Sequence, residues 1–80
     1  MITVFSKQRC PRCDEVKHYL ESKGHFFTSK DITNDLIKLQ EFRTKYVGAG
    51  FPVIEILLGK DLITVAGNVD EIKKVIDSLE

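Results

Sequence analysis

Cys10-Pro11-Arg12-Cys13 lies between a short apolar run, Ile2-Thr3-Val4-Phe5, and an amphipathic stretch at residues 14–23. The apolar run is typical of a buried strand, and the stretch after the cysteines has helical spacing. Two cysteines separated by two residues lie within about one helical turn, close enough to form a disulfide or to bind a metal. Because these two cysteines are the only ones in the chain and they open a helix, the context favours a redox-active pair.

Length and composition predict a single domain, residues 1–80, with 42% hydrophobic residues, an ordinary fraction for a globular chain. The 12 Lys and Arg residues balance 12 Asp and Glu residues, so the domain lacks the long-range positive field that recruits nucleic acid. The amino terminus turns polar at Ser6-Lys7, which excludes the apolar core of a signal peptide, and no stretch is long enough to cross a bilayer. We therefore expect a cytoplasmic protein without a nucleic-acid or membrane partner. In that reducing compartment a lone cysteine pair is more often catalytic or metal-binding than structural.

The predicted order of elements is β-α-β-α-β-β-α. The predicted strands cover residues 2–5, 25–29, 52–57 and 62–65. The first helix has Pro11 at its first position and stops at Gly24. The second is capped by Thr33 or Asn34 and runs to about residue 46, and the third is capped by Asn68. Their predicted apolar positions are Cys13, Val16 and Leu20 in the first, Leu36, Leu39 and Tyr46 in the second, and Ile72, Val75, Ile76 and Leu79 in the third. A right-handed crossover makes the first two strands parallel, and a turn at residues 59–61 makes the last two a hairpin.

This order of elements, with Lys7-Gln8-Arg9-Cys10-Pro11-Arg12-Cys13 after the first strand and Pro52 opening the third, resembles the glutaredoxin family. It resembles in particular the short glutaredoxin-like proteins that reduce ribonucleotide reductase. The resemblance covers nearly the whole chain and implies an α/β, thioredoxin-like fold with a four-stranded mixed sheet and three helices. It also implies a monomeric dithiol–disulfide oxidoreductase that holds no permanent cofactor. Its partners would be protein disulfides, with ribonucleotide reductase a candidate, and glutathione or thioredoxin reductase as reductant.

The same resemblance implies roles for individual residues. Cys10 would be the nucleophile, Cys13 the resolving cysteine, and Lys7 a basic residue that contacts substrate. We expect Arg12, inside the motif, to contact substrate as well. A cis bond between Phe51 and Pro52 would place the Phe51 backbone beside the cysteines, where it could pair with a substrate strand. The glycine-led turn into the last helix comprises Gly67, Asn68, Val69 and Asp70, and its backbone donors could hold a carboxylate of glutathione.

Three departures from the family's pattern leave the reductant open. Arg12 stands where the commonest motif has tyrosine, and Gly50 and Phe51 replace threonine and valine. The glycine-glycine-x-aspartate-aspartate turn is reduced to Ala66-Gly67-Asn68-Val69-Asp70. The chain has no Trp, so the tryptophan-bearing turn of donors served by thioredoxin reductase is missing too.

Each of these residues also has a simpler interpretation. Pro52 could merely open an edge strand, since only about 5–6% of X–Pro bonds are cis, and residues 67–70 could be a helix cap alone. The cysteines could form a static disulfide, belong to a binding module, or hold an iron–sulfur cluster or metal with glutathione completing the ligands. A zinc finger is not expected, because only four residues separate Cys13 from His18, and His25 begins a strand.

We expect the Cys10 thiol to be unusually acidic. Unpaired N–H groups and the positive end of the helix dipole face its sulfur, and Lys7, Arg9 and Arg12 add positive potential. The pKa of Cys10 should fall from about 8.5 into the range of roughly 3.5–7.5, while Cys13, one turn further in, stays protonated. The pH dependence of alkylation in a Cys13→Ser variant measures this value, and the profile of an ordinary thiol would contradict it.

Overall fold

The computed structural model describes residues 1–45 and 50–79. In chain order the elements are β1 (Ile2–Ser6), α1 (Pro11–Ser22), β2 (Thr28–Asp31), α2 (Leu36–Lys45), β3 (Val53–Leu58), β4 (Asp61–Ala66) and α3 (Val69–Asp77). The predicted β-α-β-α-β-β-α order and the four-stranded sheet with three helices are confirmed. Within the two described ranges, no helix has the length and apolar character that a membrane span requires.

The four strands form one mixed sheet in the order β2-β1-β3-β4. As predicted, β1 and β2 are parallel and β3 and β4 form an antiparallel hairpin. The chain reverses between these two strands at Gly59, whose φ of 61° suits a residue without a side chain. Strands β1 and β3 are antiparallel, with Phe5 opposite Val53. The segment that follows β1 and the segment that precedes β3 therefore meet at one end of the sheet.

Successive residues of a strand point to opposite faces of the sheet, and each face buries a hydrophobic core. The first core is formed by β1, β3, α1 and α3, and its buried residues are Ile2, Val4, Val16, Leu20, Ile54, Ile56, Ile72 and Ile76. The second core contains both cysteines, and its buried residues are Phe5, Cys10, Cys13, Ile32, Phe42, Phe51 and Val53. The cysteine pair is thus part of the packed interior.

Helices α1 and α3 follow the sequence prediction closely. Pro11 is the first residue of α1, and Gly24 follows the end of that helix with a φ of 76°. The Asn68 side chain caps α3 by accepting a hydrogen bond from the Glu71 N–H at 3.1 Å. Helical periodicity and a capping residue were sufficient to locate both helices.

Strand β2 begins three residues later than the predicted start at residue 25. The His25 N–H donates to the Leu20 carbonyl at 3.0 Å, so this part of the chain completes the exit from α1 and cannot yet pair with β1. Phe27 packs partly against the first core, but Phe26 is 97% exposed. The apolar pair was therefore a misleading signal for the strand.

Helix α2 also begins differently from the prediction. Its cap is Asp35, whose carboxylate accepts a hydrogen bond from the Lys38 N–H at 2.9 Å, so Thr33 and Asn34 are not the cap. Leu36 is 76% exposed, contrary to its predicted core position, and the helix instead packs through Leu39 and Phe42. The predicted end of this helix near residue 46, and the predicted apolar position of Tyr46, lie outside the described residues.

We expect two helical leucines to differ sharply in their contribution to stability. Leu20 is fully buried in the first core, whereas Leu36 is largely exposed. Leu20→Ala should lower the free energy of unfolding by about 2–5 kcal/mol, through lost burial and a residual cavity. Leu36→Ala is the matched control and should change it by less than about 0.5 kcal/mol. Urea unfolding followed by circular dichroism measures both values, and equal losses would contradict this assignment of the core.

Candidate active site

The two cysteines lie at the amino end of α1, where they form a disulfide with their Cα atoms 5.2 Å apart. Cys10 is the residue that caps the helix, Pro11 is its first residue and Cys13 its third. Proline suits that first position because its φ is already helical and it has no N–H to leave unpaired. The predicted placement of the pair at a helix start is thus what the structure shows.

The surroundings of the two sulfur atoms differ. The Cys13 N–H donates a hydrogen bond to the Cys10 sulfur over 3.2 Å, and the positive end of the α1 dipole lies at the same point. Cys10 is 9% exposed and Cys13 only 1%. Cys10 is thus the more exposed of the two residues, and its sulfur is the one with a donor available to stabilise a thiolate.

The Phe51–Pro52 segment is the second component of the site. The peptide bond between them is cis, as predicted. The Phe51 ring is buried in the second core with both cysteines and lies 6.0 Å from the Phe42 ring, centroid to centroid. Among residues 1–45 and 50–79 the N–H and C=O of Phe51 have no hydrogen-bond partner. As far as the described residues show, both groups are available to pair with an extended segment of another molecule.

Three basic residues lie within three positions of Cys10 in the sequence, and the side chains of two of them, Lys7 and Arg12, contact other parts of the site. The Lys7 ammonium lies 5.6 Å from the centroid of the Phe51 ring, a cation–π distance. Arg9 adopts a left-handed φ of 56° in the segment between β1 and α1. Arg12 reaches across the site, where one of its guanidinium nitrogens donates to the Gly67 carbonyl at 3.4 Å.

The turn into α3 meets the site only at its beginning. The Gly67 N–H donates to the Pro52 carbonyl at 2.8 Å, which ties the turn to the cis-proline segment. The Asn68 side chain is engaged as the helix cap, and Val69 packs partly against the first core. Asp70 is exposed on the first turn of α3. The structure thus brings Gly67 into contact with Pro52 and Arg12, and leaves the Asn68 and Val69 side chains in structural roles.

A polar network that the sequence prediction missed holds the segment before Cys10. The Gln8 N–H donates to the Thr33 hydroxyl at 2.8 Å, and this hydroxyl and the Thr33 N–H both donate to the Asp31 carboxylate, at 2.5 and 2.9 Å. These hydrogen bonds lower the pKa of Asp31, the hydroxyl more than the N–H. A lowered carboxyl pKa stabilises the fold above the ordinary pKa, and that stabilisation is lost as the pH falls through the lowered value.

The position of Asp31 two residues before Thr33, at the end of a strand, is a sequence signal for the local part of this network. No sequence pattern relates it to Gln8, which lies 25 residues from Thr33.

Comparisons with known proteins agree with this geometry. The protein-family model described as Glutaredoxin matches residues 2–62. A glutaredoxin-like 8.6 kDa protein of the rubredoxin operon of Clostridium pasteurianum is 35% identical over 77 residues, which covers 96% of this chain and 99% of that protein. N-acetyl-S-hydroxy-L-cysteine reductase of Bacillus subtilis is 38% identical over 55 residues, 69% of this chain and 59% of that protein.

Solved structures show the same fold. NrdH-redoxin from Escherichia coli, a glutaredoxin-like protein with a thioredoxin-like activity profile, superposes with a TM-score of 0.61 at 19% identity, over 92% of both chains. The thioredoxin-like protein BC3987 superposes with a TM-score of 0.63 at 16% identity, over 94% of this chain and 99% of that one. The predicted thioredoxin-like fold is confirmed by these likenesses.

We expect Thr33→Val to loosen the segment before Cys10. The variant leaves the Gln8 N–H without its acceptor and should lower the free energy of unfolding by about 1 kcal/mol. The pKa of Asp31, followed by NMR of its carboxyl carbon, should rise towards its ordinary value. Thr44→Val is the matched control, since the Thr44 hydroxyl donates only within α2, to the Gln40 carbonyl. An Asp31 pKa that is the same in the Thr33 variant and the native protein would contradict this network.

Proposed function

The chain belongs to the glutaredoxin family, and we propose that it is an electron donor that reduces disulfides of proteins or mixed disulfides of glutathione. The observation that carries this proposal is the arrangement of its two cysteines. Cys10, the more exposed of the two, caps α1, and Cys13 lies buried one turn inward in a disulfide with it. A purely structural disulfide does not explain the basic side chains of Lys7 and Arg12 at Phe51 and Gly67. It also does not explain why the Phe51 N–H and C=O have no hydrogen-bond partner within the described part of the chain.

The reaction proceeds by two exchanges at sulfur. The Cys10 thiolate attacks one sulfur of the substrate disulfide, so that a mixed disulfide forms and the first substrate thiolate leaves. The Cys13 thiol then loses its proton and attacks the Cys10 sulfur, which releases the second substrate thiolate and closes the Cys10–Cys13 disulfide. Two electrons pass from the protein to the substrate. The Cys13 N–H, 3.2 Å from the Cys10 sulfur, stabilises the thiolate at the start.

A protein substrate would dock on the backbone of Phe51. Phe51 packs in the same core as the cysteines, and its N–H and C=O, which have no partner in the two described ranges, can pair with an extended segment that carries the target disulfide, as in β-strand addition. Ribonucleotide reductase is a candidate target, in keeping with the resemblance to the short glutaredoxin-like donors.

Two reductants are candidates for restoring the dithiol. For glutathione, the support is the amino end of α3, where the N–H groups of Val69 and Asp70 precede the first intrahelical hydrogen bonds and can receive a carboxylate. For thioredoxin reductase, the support is the replacement of the first acid of this turn by Val69, whose side chain packs partly against the first core. NrdH-redoxin, which has the same fold and a thioredoxin-like activity profile, also favours thioredoxin reductase as the reductant.

The same thiols could also reduce a sulfenic acid. The Bacillus subtilis relative is named for the reduction of N-acetyl-S-hydroxy-L-cysteine, although this chain spans only 59% of its length. In that reaction the Cys10 thiolate attacks the hydroxylated sulfur and displaces hydroxide, which leaves as water. Cys13 then resolves the mixed disulfide and releases the thiol, so the protein again supplies two electrons.

The test is reduction of the oxidised protein in two parallel reactions, one with glutathione and glutathione reductase, the other with thioredoxin reductase. Both contain 2-hydroxyethyl disulfide as the final acceptor, and NADPH loss is followed. We expect turnover in at least one reaction. Because Cys10 makes the first attack, Cys10→Ser should abolish turnover in both. Cys13→Ser should abolish it with thioredoxin reductase and spare removal of glutathione from a mixed disulfide.

The outcomes separate the alternatives. Turnover with glutathione would identify a glutaredoxin in activity and assign the tripeptide to the turn at residues 67–70. Turnover with thioredoxin reductase alone would leave that turn as a helix cap. No turnover in either reaction, or equal loss of every activity from both cysteine variants, would contradict the proposal. Replacing the acceptor by N-acetyl-S-hydroxy-L-cysteine tests the sulfenic acid reaction.

A further inference from the structure

We propose that Lys7, Arg9 and Arg12 form a cationic rim that recruits partner segments carrying acidic residues beside the reactive disulfide. The inference rests on the proposed function, because all three residues lie within three positions of Cys10, the cysteine that would react. It goes further in naming the chemistry of the partner, an acidic extended segment of a protein. Arg12 is the specificity-determining residue of this rim.

The charge of the rim is a local property in a chain that is neutral overall. Residues 7–13 contain three cations and no carboxylate, and all three cationic side chains are exposed. In sequence, the first carboxylate of helix α1 is Asp14 and the first of helix α3 is Asp70. Neither forms an ion pair with a rim residue in the described parts of the chain.

Other lysines of the protein do have carboxylate partners. The ammonium groups of Lys23, Lys38 and Lys73 lie 3.8, 3.6 and 3.3 Å from carboxylates of Asp77, Glu41 and Glu15 respectively. The rim cations have no such partner among residues 1–45 and 50–79. Their charge is therefore available to a molecule that approaches Cys10.

The position of the rim relative to Phe51 indicates where an acidic side chain would bind. Lys7 lies over the Phe51 ring at 5.6 Å. The Arg12 guanidinium lies beside Gly50, where an added β-carbon would be 3.6 Å from its outer nitrogen. A segment that pairs with the Phe51 backbone is thus flanked by both cations.

A hydrogen bond positions the Arg12 side chain, and no carboxylate in the described parts of the chain neutralises its charge. Its hydrogen bond to the Gly67 carbonyl, at 3.4 Å, uses one of its five N–H donors. No other hydrogen-bond partner is found for it in the described residues. The remaining donors form a planar fork that suits a carboxylate. An exposed pair of this kind acts mainly on the rate of association and weakens in salt.

The test uses the fully reduced protein in a single turnover, so no reductase is involved. Three symmetrical peptide disulfides are compared that are identical except for the residues flanking cysteine, which are glutamate, glutamine or lysine. Each reaction oxidises the Cys10–Cys13 dithiol to its disulfide and releases two peptide thiols, which are quantified by chromatography after rapid quenching. A fourth reaction with 2-hydroxyethyl disulfide measures thiol exchange without a peptide.

We expect the acidic peptide to react about tenfold faster than the basic one at low salt, with the ratio approaching one at about 1 M salt, where charges are screened beyond about 3 Å. Arg12→Gln should lower this ratio by roughly threefold, the size of an exposed charge pair, and Arg12→Lys should restore part of it. Lys60→Gln is the matched control, because Lys60 lies in the β3–β4 turn at the opposite end of the sheet.

Equal rates for the three peptides would overturn the inference while leaving the proposed function intact. So would a Lys60→Gln variant whose ratio falls as far as that of Arg12→Gln, because the effect would then reflect net charge alone. Failure of the reduced protein to react with any of the four disulfides would instead refute the proposed function, and the inference with it.

Discussion

The antiparallel pairing of β1 with β3 is the constraint on which the site depends. Its register places Phe5 opposite Val53, so the chain leaves β1 towards Cys10 at the point where it enters β3 from Pro52. Without this pairing, the Cys10 and Pro52 segments, about 40 positions apart in the sequence, would not be held next to each other. The contacts of Lys7 with Phe51 and of Arg12 with Gly67 are consequences of the same register.

The second core explains why the two cysteines can have different roles. The rings of Phe5, Phe42 and Phe51 pack edge to face, with centroid distances of 5.2 and 6.0 Å, and the cysteine pair completes this cluster. An apolar environment disfavours the charged form of a buried thiol, so Cys13 is kept from competing as a nucleophile. Cys10 shares the cluster but lies at the helix end, where N–H groups offset that cost.

Local signals predicted most of the fold. Helix α3 was located by its apolar stripe and by Asn68, and α1 by Pro11 and Gly24, because each of these signals acts within a few residues. The start of strand β2 was predicted too early. The His25 N–H is still bonded to the Leu20 carbonyl at the end of α1, so the chain can begin to pair with β1 only after this point. Strand β2 is also an edge strand, and its four residues are exposed, so it carries no apolar pattern to locate it.

The site was predicted to a similar extent and for similar reasons. The cysteine motif and its helix are contiguous, and the family resemblance supplied the cis-proline. The anchoring of Gln8 by Thr33 and of Arg12 by Gly67 joins residues 25 and 55 positions apart. Such contacts follow from sheet register, which a single sequence does not reveal. The Asp35 cap of α2 was missed because Thr33 and Asn34 are also good capping residues. The hydrogen bonds of Thr33 with Asp31 and Gln8 exclude only Thr33, and the Lys38–Asp35 hydrogen bond identifies the cap.

The three departures from the family's pattern lie close together in the folded protein. Gly50 has a φ of 152°, a conformation that favours glycine, and the Arg12 guanidinium lies beside it. The same guanidinium reaches Gly67 at the start of the altered turn, and Phe51, the third departure, lies under Lys7. Changes scattered over 55 residues of sequence thus converge on the surface around Cys10. Since the cysteines and the cis-proline are retained, the chemistry is that of the family. We infer that what has diverged is the recognition of the molecule that reaches the sulfur.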